Sequence, residues 1–338
     1  MPTAAATMLF LGITTGTTIA ASSNHWLTAW VGLELNTLAI LPIISKTKHP
    51  RAIEASTKYF LTQAIASCLM LSSSIANAWQ TGNWDITQMT NKYTSTMMVL
   101  ALSMKMGAVP LHFWLPEVMQ GSTLHTAMLI STWQKLAPMT LLYSMANHAQ
   151  PLITLALGLL STTLGGWGGM NQTQLRKMMA FSSITNVGWT LMILTPEPNT
   201  ATINIMTYIL MTIPTFLLMI MTTTKTLQDM STAWTTSPTA TTTLALLLLS
   251  TAGLPPLTGF LPKLLILNEL VTQKLTPIAT LVTFTSLLNL TFYLRTTYMT
   301  TLLNSPVSAT STMKWRHKLV KAKPTTLAPT ALISTTAL

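Results

Sequence analysis

The stretch Lys105-Met-Gly-Ala-Val-Pro110-Leu-His112-Phe-Trp-Leu-Pro116 decides how this chain is read. A lysine sits inside an apolar run, and two prolines follow it. Pro110 has no amide hydrogen, so the carbonyl of Met106, four residues back, loses its helical partner. In hydrocarbon such a carbonyl is tolerated only where protein, or water inside a cavity, satisfies it. A charge beside a broken helix is the arrangement from which ion sites at mid-membrane depth are built.

The phrase returns later in the chain. Gly107-Ala-Val-Pro-Leu-His-Phe-Trp-Leu-Pro-Glu117 lies over Gly253-Leu-Pro-Pro-Leu-Thr-Gly-Phe-Leu-Pro-Lys263 at a constant offset of 146 residues, with the glycine, Pro-Leu, an aromatic and Leu-Pro in register. In the second copy Pro255 and Pro256 free the carbonyls of Thr251 and Ala252. Two broken helices in corresponding positions of two half-chains point to the working site of a transporter-like fold.

Composition sets the solvent. Only 7% of residues are charged and 49% are apolar, and the mean hydropathy is +0.48. A soluble chain carries charge on about a quarter of its positions, so this is a polytopic all-α membrane protein. Threonines stand at many lipid-depth positions, where their hydroxyls bond back to helix carbonyls. The net charge of +11 does not indicate nucleic acid, because the basic residues are scattered among loops and form no stripe with aromatics. The single cysteine, Cys68, excludes a disulfide framework, an iron–sulfur ligand set and a structural zinc site. The N-terminal residues lack both the basic region of a secretory signal and the arginines of a transit peptide, which predicts insertion during translation or synthesis within the home compartment.

With about 20 apolar residues needed per crossing, the chain divides into about eleven spans. The predicted broken helices are the fourth and ninth. Being five spans apart, they run in opposite directions, which makes an inverted repeat. The halves are residues 1–148 and 149–300, followed by a basic linker and a C-terminal helix over 301–338. Loops of one parity carry Lys46, Lys48, Arg51 and Lys58, then Arg176 and Lys177, Lys225, Arg295 and the basic stretch Lys314 to Lys323; the others carry only Lys92 and Lys274. The positive-inside rule places the first set, and the N-terminus, on the inner side and the C-terminus opposite.

Four ionisable groups fall near the middle of predicted spans: Glu34, Lys105, Lys135 and Lys263. Each costs about 2.5–3.5 kcal/mol on insertion scales. Burial disfavours charge and an opposite charge nearby restores it, so Glu34 beside Lys105 holds both charged, and separating them lets the lysine release a proton. The plainer reading makes these charges glue between helices or partner contacts. Lys105 precedes its break and Lys263 follows its own, so the repeat is expected to conserve the cavity but not the place of the charge. The carbonyls of Met106, Thr251 and Ala252 need partners, which predicts hydrated cavities in both halves, with Lys135 bridging them from an intact span.

Other residues carry two readings each. His112 either relays protons or donates to a freed carbonyl. His125 is read as a capping or packing group, and Glu117 as interfacial. Gly165-Gly-Trp-Gly-Gly169 lacks nucleotide-motif spacing and reads as close helix packing. The stretch Lys314 to Lys323 reads as topogenic, with a cardiolipin or partner site as the second reading.

The two proline motifs, together with Trp133-Gln-Lys135-Leu-Ala-Pro138, resemble the antiporter-like subunits of respiratory complex I. The resemblance covers essentially the whole chain and implies a place in the membrane arm of NADH:ubiquinone oxidoreductase in the mitochondrial inner membrane. It implies proton pumping from matrix to intermembrane space alongside other membrane-arm and accessory subunits. NADH, FMN, iron–sulfur clusters and ubiquinone are then handled by other subunits, with no cofactor or metal on this chain beyond a structural phospholipid such as cardiolipin. By position, Glu34 and Lys105 correspond to the charged pair, Lys135 to the central relay and Lys263 to the relay of the second half. The rival readings are an Mrp-like cation/proton antiporter sharing the fold, and a passive structural subunit.

Overall fold

The computed structural model describes residues 3–233, 238–255 and 257–301. The expected eleventh span, the basic stretch Lys314 to Lys323 and Pro256 lie outside them. Within the described residues the chain is helical: α1 (Thr3–Ser22), α2 (Trp26–Ile44), α3 (Pro50–Thr81), α4 (Lys92–Met106), α5 (Trp114–Gly121), α6 (Leu124–Ser131), α7 (Leu136–Ser144), α8 (Pro151–Met170), α9 (Leu175–Ile193), α10 (Pro198–Thr222), α11 (Leu227–Ala233), α12 (Pro238–Ala252), α13 (Phe260–Thr272) and α14 (Thr276–Thr301). The short α11, in the connection after α10, has no counterpart in the span reading.

Local chemistry sets the helix starts. Asn91 caps α4 by accepting from the amide of Tyr93 at 3.0 Å. The His49 ring accepts from the Arg51 amide ahead of α3, whose first residue, Pro50, has no amide to satisfy.

Six helices are long and apolar enough to cross a membrane unbroken: α1, α2, α3, α8, α10 and α14. The rest of the expected crossings depart from that pattern for two reasons. Three are interrupted, at α4/α5, α6/α7 and α12/α13. The fourth, α9, is rich in Ser, Thr and Asn and is buried almost end to end. Protein rather than lipid surrounds it, so polar side chains are tolerated there. The Gly165–Gly169 run packs helices as expected: a Cβ on Gly165 would stand 3.0 Å from the Thr185 amide of α9, and one on Gly169 would meet Phe292 of α14.

The loops gather into two faces. On one, His49, Arg51, Gln120, Arg176 and Lys225 line one cleft and Arg51, Lys58, Glu117 and Lys177 the next. The Arg176 guanidinium donates to the Ser122 carbonyl here, the bridge Gln174↔Thr226 joins two loops, and Arg295 donates to the carbonyls of Met170 at 2.8 Å and Gln172 at 2.6 Å. On the other face a cleft lined by Asn147, Pro151, Thr195, Pro196, Gln273 and Leu275 has no lysine or arginine in its walls. The bridge His25↔Asp85 lies at this end, where Trp26, Trp84 and Ile86 belong to the apolar cluster that also holds Ala146 and Leu275.

Candidate functional site

The two breaks share one backbone geometry. α4 stops where Gly107 turns to φ 82°, its amide bonding the Met104 carbonyl at 3.1 Å and the next amide, of Ala108, reaching Ser103 at 2.9 Å. α12 stops where Gly253 turns to φ 83°, with its amide on Ser250 at 3.0 Å and that of Leu254 on Leu249 at 3.4 Å. Both are left-handed helix ends of the kind glycine supplies without steric cost. The following helices are entered alike: Leu115 donates to His112 and Leu261 to Thr258. Every one of these positions obeys the 146-residue offset.

Lys105 lies in the last turn of α4, where a helix C-terminus favours a cation. It is 5% exposed, and its Nζ has no hydrogen-bond partner among the described residues. Its carbonyl, left by the helix at the break, is approached by Gln63 Nε2 at 3.5 Å. The lysine opens on a small cavity of about 10 Å³, room for about one water, lined also by Asn36, Tyr59, Gln63, Gln134 and Lys135. Gln134 Nε2 spans the wall to Asn36 Oδ1 at 2.8 Å.

Lys135 is not on an intact span. Between α6 and α7 the chain tightens into a 3₁₀ turn over Trp133–Lys135. Pro138 removes the amide that would bond the Gln134 carbonyl and its ring crowds that carbonyl, while the Thr132 hydroxyl captures the Met128 carbonyl at 2.7 Å. The lysine is buried; its Nζ donates to the Ser183 carbonyl of α9 at 3.2 Å and lies 4.8 Å from the centre of the Tyr208 ring. Desolvated cation–π contacts of this kind stabilise a buried ammonium.

Lys263 sits in the first turn of α13, where a helix dipole disfavours a cation. The side chain reaches back instead. Its Nζ donates at 2.6 Å to the carbonyl of Ala252, which Pro256 leaves without an amide, and stands 5.9 Å from the Trp189 ring. The sequence offset had placed the two charges on opposite sides of their breaks. In space each serves the C-terminal end of the helix before the break. The Ala252 carbonyl takes an ammonium as its partner, where the carbonyl of Lys105 takes the Gln63 amide.

Glu34 and Lys105 form no ion pair. The half-buried Glu34 carboxylate accepts from the hydroxyl of Thr37, one turn on, at 2.7 Å. The ion pairs among the described residues instead join exposed Lys58 to Glu54 at 2.6 Å and to Glu117 at 2.5 Å, so Glu117 lies at the basic face. His112 is buried with Nδ1 3.3 Å from the Pro110 carbonyl, within its own loop. His125 is exposed and does not cap: Thr123 accepts from the Thr126 amide. Pro110 and Pro255 stand in the two breaks.

Sequence reasoning missed Asn36, Gln63, Gln134, Ser183 and Tyr208. All are polar groups inside apolar spans, a signal that was present but faint in a chain so rich in threonine. Among the described residues no cluster of three His, Cys, Asp or Glu side chains is able to hold a metal ion.

The family model for "NADH:quinone oxidoreductase/Mrp antiporter, TM" matches residues 23–289. The chain is 53% identical over 311 residues to NADH-ubiquinone oxidoreductase chain 2 of Varanus timorensis, covering 92% of this chain and 90% of that one. It is 52% identical over 312 residues to the protein of that name from Aquarana catesbeiana, with 92% and 90% covered. Among solved structures its fold is similar to a chain of respiratory complex I from Thermus thermophilus, with a TM-score of 0.85 at 23% identity over 96% of this chain and 76% of that one. A chain of the Mrp complex from Dietzia sp. aligns with a TM-score of 0.77 at 17% identity, over 86% and 59%. The chain belongs to the NADH:quinone oxidoreductase/Mrp antiporter family of transmembrane proteins.

Proposed function

We propose that this chain is an antiporter-like subunit of the membrane arm of NADH:ubiquinone oxidoreductase in the mitochondrial inner membrane. It couples electron transfer in other subunits to proton translocation through Glu34, Lys105, Lys135 and Lys263. The observation that carries this reading is that all three buried lysines stand at helix interruptions, and that Lys105 and Lys135 line one cavity. An interruption supplies unpaired backbone carbonyls and room for a side chain to change partners. An amine in such a place holds or gives up its proton according to which partners are near.

In this scheme residues 1–148 and 149–300 are the two inverted halves, each with a proline-broken helix. The lysine- and arginine-rich face looks to the matrix. NADH, FMN, the iron–sulfur clusters and ubiquinone act on other subunits, and this chain contributes proton steps alone. Bilayer lipid, including cardiolipin, and the other membrane-arm and accessory subunits surround it.

The test is proton uptake per electron by the assembled complex in sealed vesicles. Lys105→Met and Lys263→Met are each expected to lower coupled turnover while the complex still assembles. Normal pumping by both variants leaves a structural subunit. Extraction in mild detergent is expected to retain NADH-oxidising subunits; recovery with cation-antiporter subunits alone would favour the Mrp-like role that the shared fold also supports.

A further inference from the structure

Two buried nitrogen donors at the Gly107 break have no acceptor among the described residues: the Lys105 ammonium and the indole Nε1 of Trp114. Both residues line the same small cavity from opposite sides of the break, Lys105 in the last turn of α4 and Trp114 at the start of α5. They are 5% and 6% exposed. An ammonium and an indole N–H donate and never accept, so only a lone pair from another group satisfies them.

The side chains of the wall do not supply it. Asn36 Oδ1 accepts from Gln134 Nε2 at 2.8 Å, and the Tyr59 hydroxyl lies 3.5 Å from Gln134 Oε1. The Thr37 hydroxyl donates to Glu34, and Glu34 itself is not in the wall. A second lysine, Lys135, lines the cavity, and no carboxylate does. The enclosure is rich in donors and positive charge and short of free lone pairs.

Water answers such a site poorly. It accepts from both donors, but its own two hydrogens then need acceptors that are already engaged. A halide accepts from every direction and donates nothing, and its charge offsets an ammonium that is costly to bury alone. Space for about one water admits a monatomic ion and shuts out carboxylates and phosphates.

We propose that this cavity binds a single chloride ion, held by the Lys105 ammonium and the Trp114 indole N–H, as the counterion of Lys105. The way in lies on the basic face. The Tyr59 and Trp114 rings meet edge-on at 5.6 Å, and their helices also carry Lys58 and Glu117, which line the cleft outside. Arg51 and Lys177 stand in that cleft too and gather anions at its mouth. The site belongs to the resting protein and stands whether or not Lys105 takes part in pumping.

The test uses crystals of the assembled complex equilibrated with bromide in place of chloride, at physiological chloride concentration. Bromide is recognised as chloride is and gives an anomalous signal. A peak within hydrogen-bond distance of both Lys105 Nζ and Trp114 Nε1 is expected. It is expected to vanish in Lys105→Met while bromide sites elsewhere persist. Trp114→Phe keeps a ring against Tyr59 and removes the N–H, and is expected to lower the peak several-fold. A wild-type cavity with no anomalous peak, or with water density alone, overturns the site. A peak undiminished in both variants overturns the assignment of its ligands. Should neither variant assemble, the wild-type bromide map decides by itself, since a peak that touches both donors supports the site and a cavity without one overturns it.

Discussion

The ammonium of Lys263 bonds the carbonyl of Ala252, eleven residues upstream and on the far side of the break, at 2.6 Å. One side chain thus closes a gap that the prolines open. Gly253 permits it twice over: its φ of 83° suits glycine, and a Cβ there would stand 2.8 Å from Lys263 Nζ and 2.9 Å from its Cδ.

Gly253→Ala therefore displaces the lysine as well as straining the backbone. Gly82→Ala supplies the comparison, since Gly82 has φ 75° and a Cβ there would meet nothing within 4 Å. Both variants incur the left-handed penalty of about 1–2 kcal/mol. Only Gly253→Ala is expected to reduce proton uptake per turnover. Equal pumping by the two variants would show that the lysine–carbonyl contact is packing alone.

Lys135→Met keeps side-chain length and removes the hydrogen bond to Ser183 and the charge over Tyr208. Coupled activity is expected to drop about tenfold, which corresponds to about 1.4 kcal/mol of barrier. Lys274→Met, in a loop of no assigned role, is expected to behave as wild type. Comparable losses in the two variants would remove Lys135 from the route.

Glu34→Gln retains an oxygen for the Thr37 hydroxyl and loses only the charge. The complex is expected to assemble with normal yield and turn over several-fold more slowly when coupled. Unchanged rate and proton ratio would make Glu34 a local helix contact.

Orientation is checked with cysteine substitutions on the two loop faces. In mitoplasts, a membrane-impermeant maleimide is expected to label Lys274→Cys directly and Lys48→Cys only after permeabilisation. The opposite pattern would invert the topology.

The helix breaks at Gly107 and Gly253 were legible in the sequence because glycine and proline act on the backbone locally, whatever surrounds them. The offset of 146 residues carried through to individual hydrogen bonds for the same reason. The interruption at Lys135 was not legible. Pro138 alone looks like one of the prolines that membrane helices absorb, as Pro214 is absorbed within α10. Side-chain reach was hidden as well: nothing in the order of residues says that Lys263 folds back, or that Thr37 rather than Lys105 takes Glu34. Those choices belong to tertiary packing, and so does the gathering of Ser183 and Tyr208 around Lys135.

The burial of α9 bears on how the protein is made. Its sequence from Phe181 to Trp189 is too polar to settle in lipid as a lone segment, yet in the finished fold it is walled in on all sides. Its nearest neighbour is α8, against which Gly158 and Gly188 bring the two backbones together. The two helices are therefore expected to enter the membrane as a hairpin, with α8 and the earlier α5 covering α9 until α10, α13 and α14 complete its walls. Bulky substitutions at Gly158 or Gly188 would act during biogenesis, emptying the membrane of the subunit before its proton chemistry is ever called upon.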